Sequence, residues 1–206
     1  MSNQFSNYMR SQVSVLAGGA SVPREVLMQG VRAGLEWAVP SFFAVIGIAC
    51  FGEHLPSHYL NGAVSEGIGP ALWNVVGTFG TVLFGFGLMF PGVRCMTSAA
   101  RGALNGTYGI GNLMFGLLAG LLVTSFPEAA AKVEFWRALA MAVGGILLLS
   151  LALALNFAVW CLGAMMAPND GDGAFLRRVK RMHWLSRLIL SLLFIATPLL
   201  FLLAEK

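Results

Sequence analysis

Between Arg137 and Asp170 the chain carries no Asp, Glu, Lys, Arg or His. A membrane-crossing helix needs about 20 apolar residues, so this run is longer than one crossing requires. Shorter apolar runs occupy residues 35–51, 71–90, 110–126 and 186–203, and with 137–167 they make five. Lipid offers no hydrogen bonds to a peptide group, so a run that crosses it must satisfy its backbone internally, as a helix does. The pattern predicts an all-α, polytopic integral membrane helix bundle of about five transmembrane helices. Composition agrees, since 11% of the 206 residues are charged, against about 25% in soluble domains. The expected organisation is one membrane domain, 1–206. It has a polar and amphipathic segment over 1–34, the bundle over 35–203 and a basic loop over 168–187.

Glycine is concentrated at the centre. The window from Gly77 to Gly120 holds 11 of the 25 glycines. Each would cost roughly 1 kcal/mol relative to alanine in a soluble helix. In lipid, small residues instead let helices approach closely. Gly116 and Gly120 form a GxxxG pair, Gly77 and Thr81 a second small pair beside Gly80, and Ala140 and Gly144 a third. These seven are the candidate helix-packing residues. Residues 92–109, with Arg94, Arg101 and several glycines, read as a turn-rich loop between the second and third spans.

The cations choose an orientation. With the N-terminus cytoplasmic, Arg10, Arg24, Arg32, Arg94, Arg101, Arg177, Arg178, Lys180, Arg181 and Arg187 lie inside, and Lys132, Arg137 and Lys206 outside. That asymmetry is the positive-inside pattern. It implies insertion in the plasma (inner) membrane as a multi-pass protein. The first twenty residues lack the continuous apolar core of a cleavable signal, so the first span is expected to act as its own insertion signal. Trp37, Trp73, Trp136, Trp160 and Trp184 fall near expected span ends, where an aromatic belt would place them.

Chemistry is sparse. Arg177, Arg178, Lys180, Arg181 and Arg187 lie beside the last span, where each contributes about 1 kcal/mol of attraction to an anionic leaflet. Anionic lipid, or an acidic partner, is the expected contact, and no readout element for nucleic acid accompanies them. His54 and His58 share a loop with Glu53 and Glu66 and are the weak candidates for a metal site; the sequence supplies no third ligand at fixed spacing. Asn74, Thr78 and Thr81 are candidate pore-lining residues. Apart from Glu36 at a boundary, no ionic side chain falls within an expected span, whereas proton-coupled pumps and voltage sensors usually need one. Cys50, Cys95 and Cys161 are isolated and form no CxxC.

No catalytic constellation or cofactor motif is visible. The expected function is therefore a non-enzymatic subunit of a larger or homo-oligomeric membrane assembly, of the secretion, conjugation or defence type. A small channel or carrier for a neutral solute is the alternative. A membrane enzyme or metal-site protein using the outer-loop histidines is the third reading.

Overall fold

The computed structural model describes residues 24–51, 68–166 and 174–204. Among them the elements are all helices: α1 (Arg24–Phe51), α2 (Ile68–Met89), α3 (Arg94–Ala131), α4 (Phe135–Met165), α5 (Ala174–Arg181) and α6 (Trp184–Ala204). The first four are long and apolar enough to cross a membrane, and Trp184–Leu200 within α6 is a shorter apolar helix. The protein thus has the architecture of an α-helical membrane bundle.

Two expectations about loops are corrected. Residues 94–109 are not a loop, because α3 runs unbroken for 38 residues. At 1.5 Å per residue it is about 57 Å long, well beyond the roughly 30 Å of hydrocarbon. The reason is a buried stripe at helical spacing: Thr97, Ala100, Leu104, Thr107 and Tyr108 are all within 3% of full burial. Packing along that stripe outweighs the glycine penalty, as it does for most helices in proteins. Glu128 also lies in α3, which ends at Ala131. The basic segment is likewise not a continuous loop. Residues 174–181 form α5, and Arg187 lies in the first turns of α6.

The amphipathic segment and first span are one 28-residue helix, α1, with Pro40 inside it. A proline removes one backbone donor from the helix ladder. The neighbouring Ser41 hydroxyl donates to the carbonyls of Trp37 and Ala38, both at 2.9 Å. In α6 the Thr197 hydroxyl, beside Pro198, donates to the Leu193 carbonyl at 2.7 Å. Hydroxyls of this kind supply local polar contacts where a bilayer offers none.

The chain clusters into two compact units, and the boundary between them passes through α1, α2, α3 and α4. One unit comprises Met1–Leu27, Val75–Gly106 and Trp160–Lys206. In it α2 and the first part of α3 run antiparallel: Gly80 meets Leu104, while Gly87 meets Thr97. α6 joins α2 through the Ser191 hydroxyl, which donates to the Gly85 carbonyl at 2.8 Å. Phe84 and Phe194 stack beside it with centroids 4.8 Å apart. Leu176, Val179 and Met182 bury the apolar side of the α5 segment. After the break, the His183 imidazole accepts the Leu185 N–H at 3.3 Å, satisfying one of the free donors at the start of α6.

The other unit comprises Met28–Asn74 and Thr107–Val159. Here α1 and α3 run parallel, since Gly34, Ala38 and Val45 meet Tyr108, Gly116 and Gly120 in that order. α3 and α4 run antiparallel, Gly111 against Asn156 and Leu122 against Gly145.

Candidate functional site

A polar cluster lies within the second unit, on residues far apart in the chain. Tyr108 of α3 is buried, and its hydroxyl donates to the Gly30 carbonyl of α1 at 2.8 Å. Two side-chain amides converge on the Tyr108 carbonyl: Asn112 Nδ2 at 2.8 Å and Asn156 Nδ2 at 3.1 Å. Asn156 Oδ1 in turn accepts the Trp73 indole N–H at 3.3 Å. Asn156 is 4% exposed and Asn112 1%. Buried amides of this sort must find partners, because an unmade hydrogen bond in an apolar setting costs roughly 1–3 kcal/mol. Gly111 makes room for the arrangement: a Cβ there would fall well inside contact distance of the Asn156 amide.

Beside this cluster is a cavity of about 300 Å³. Trp73, Asn74 and Asn156 line it with Gly111, Met114, Phe115, Leu118, Leu149, Ala152 and Leu155. Among the described residues the lining contains no ionisable side chain. Asn74 makes no hydrogen bond among the described residues.

The sequence-derived candidates separate in space. Asn74 lines the cavity, whereas Thr78 and Thr81 belong to the other unit. Thr81 donates to the Gly77 and Thr78 carbonyls of its own helix, both at 2.9 Å. Gly80 is buried, and a Cβ on it would sit 3.2 Å from a Leu104 methyl. Gly116 and Gly120 face α1: a side chain at 116 would strike the Ala38 carbonyl and Ser41, and one at 120 would come within 2.8 Å of Val45. Ala140 is exposed, and nothing lies within 4 Å of the Cβ position of Gly144. Arg177, Lys180 and Arg181 are exposed, Arg178 is half-buried, and Arg187 is half-buried on α6. Glu36, the acid at the mouth of the first span, pairs with Arg32 at 3.3 Å on the surface of α1.

His54 and His58, with Glu53 and Glu66, lie outside the described residues. Among the described residues no three His, Cys, Asp or Glu side chains come together as metal ligands. The polar residues Asn112 and Asn156 within apolar runs are read from the sequence as sites of helix-to-helix or water hydrogen bonds, but their partners are not: Trp73, which it places in an aromatic belt, and Tyr108. The cluster's signal was Asn156, the one Asn within the long apolar run 138–167, since an amide in lipid requires a partner.

Fold and site together define a helical membrane bundle with a buried amide cluster and a cavity whose described lining carries no ionisable side chain. No protein-family model matches the chain, and no curated protein or solved structure is significantly similar to it.

Proposed function

We propose that the protein is a non-catalytic subunit of a plasma (inner) membrane assembly, homo-oligomeric or built with other membrane subunits. The observation that carries this reading is α4. From residue 135 to residue 155 it has no buried residue, and its small pair, Ala140 and Gly144, has open space before it. Gly116 and Gly120 are matched inside the chain by α1, so the same kind of surface on α4 is left for another helix. In lipid, apolarity alone does not drive association, whereas close approach across small residues does. The basic residues of α5, whose apolar side is already buried, offer their charge to anionic lipid or to an acidic partner.

Cysteine cross-linking tests the reading. With Cys50, Cys95 and Cys161 replaced by Ser, Gly144→Cys is expected to form a cross-linked species in native membranes. A cysteine at exposed Ile146, on the opposite side of the helix, is expected to cross-link less. Native mass after gentle extraction then gives the copy number, or reveals a stoichiometric partner. A lone protomer without cross-links at either position would sink the proposal.

The carrier reading has one observation in its favour, the cavity whose described lining is uncharged, with Asn74 in its wall. It predicts that Ala152→Phe blocks neutral-solute flux in liposomes at unchanged yield, and unaltered flux in that variant would remove it.

A further inference from the structure

The geometry points to the cavity of the second unit as a binding site for an uncharged ligand that carries a carbonyl on an apolar skeleton, a quinone or a lipid ester. This inference stands apart from the assembly reading, because the cavity and the open face of α4 around Gly144 involve different residues.

Size sets the first limit. About 300 Å³ is the lower end of small-molecule sites, enough for a ring or a chain segment with its carbonyl but not for a peptide. Charge sets the second. Among the described residues no Asp, Glu, Lys, Arg or His lines the cavity, so an ion held by that lining would lose its hydration without a counter-charge, a loss of several kcal/mol or more. The ligand is therefore neutral.

Polarity then fixes the functional group. Among the described residues the walls are apolar apart from Trp73, Asn74 and Asn156. Asn156 is already engaged on both sides of its amide, donating to Tyr108 and accepting from Trp73. The Trp73 N–H is used in the same contact. Asn74 alone has an amide uncommitted among the described residues. An Asn side chain offers two N–H donors and one carbonyl acceptor, and a carbonyl on the ligand would be met by those donors. The indole of Trp73 and the ring of Phe115 in the same lining suit a flat or slender apolar body, and Met114 supplies an adaptable thioether contact. Fixed by its two hydrogen bonds, Asn156 holds α3, α4 and the start of α2 around the cavity, so its polar end is preformed.

Trp73 makes the site directly observable, because quinones and bromine atoms quench indole emission at contact. The test uses the full chain in detergent or nanodiscs with two probes: decylubiquinone, and a phosphatidylcholine brominated on one acyl chain. Wild type is expected to show saturable quenching that Trp73→Phe removes. Ala152→Phe, which fills the cavity, is expected to abolish it, with Leu118→Phe as a second filling variant should the first fail to fold. Asn74→Leu, close in size but without the donors, is expected to weaken binding about two- to tenfold, the loss of one neutral hydrogen bond. Saturation by decylubiquinone assigns the quinone class. Saturation by the brominated lipid alone, with the same response to the variants, assigns a lipid ester. Quenching that is non-saturable, or indifferent to the folded filling variant and to Asn74→Leu, overturns the proposal.

Discussion

Glycines of the same sequence pattern do different work depending on what faces them. At Gly116 the Ala38 backbone carbonyl occupies the place a side chain would need, and a carbonyl in a helix has little freedom to retreat. Overpacking of a well-fitted contact costs about 1–3 kcal/mol, and more where backbone must move. Gly116→Leu is therefore expected to part α1 from α3, lowering the melting temperature of the extracted protein and the yield of its monodisperse peak. Gly144→Leu, facing open space, is expected to leave the melting temperature of the protomer unchanged while reducing cross-linking through a cysteine placed at exposed Ala140 on the same face. Equal melting temperatures for the two variants would show that the α1–α3 contact does not hold the protomer together. The small-residue pairs were legible in the sequence, but their assignment to an internal or external contact was not. That depends on the helix opposite, which spacing along one chain segment does not specify. The Trp73–Asn156 bond was equally hidden, since it joins residues 83 apart.

At the scale of the helix, periodicity proved a better guide than glycine content. The apolar runs located α1, α2, α4 and α6 because an unbroken hydrophobic stretch of that length has few other uses. The run 94–109 misled because its glycines, Thr97, Ser98 and Thr107 are turn formers one by one. Their burial at positions 97, 100, 104, 107 and 108 is a helical repeat, and it wins. The α5 segment shows the same repeat with charge opposite: Leu176, Val179 and Met182 are buried, and Arg177, Lys180 and Arg181 are exposed. Since its apolar residues are already covered, α5 is expected to bind anionic lipid through charge alone. Replacing Arg177, Lys180 and Arg181 together by Gln should remove about 1 kcal/mol of attraction per cation. Co-purification of anionic lipid should then fall several-fold, with the salt sensitivity of the wild type lost and the fold preserved. Unchanged lipid content would leave acidic protein as the partner to seek.

For the whole chain, helix direction constrains what charge counting alone had to assume. α1 and α3 run parallel in one unit, α2 runs antiparallel to the start of α3 in the other, and α4 runs antiparallel to α3. Parallel α1 and α3 require a return crossing between them, and α4, antiparallel to α3, then returns again. With a cytoplasmic N-terminus, Arg24 and Arg94 would begin outward-running helices and the cations of α5 would follow an inward-running one, as positive-inside insertion requires. Two native cysteines sit where the orientation is decided. Cys50 is exposed near the C-terminal end of α1, and Cys95 is exposed beside Arg94 at the start of α3. In right-side-out membrane vesicles a membrane-impermeant maleimide is expected to label a variant retaining only Cys50. A variant retaining only Cys95 is expected to react only after the membrane is permeabilised. The reverse result would invert the protein and place its basic end outside. Labelling of both without permeabilisation would mean that α2 does not carry the chain across, and the parallel pair would then need another return path.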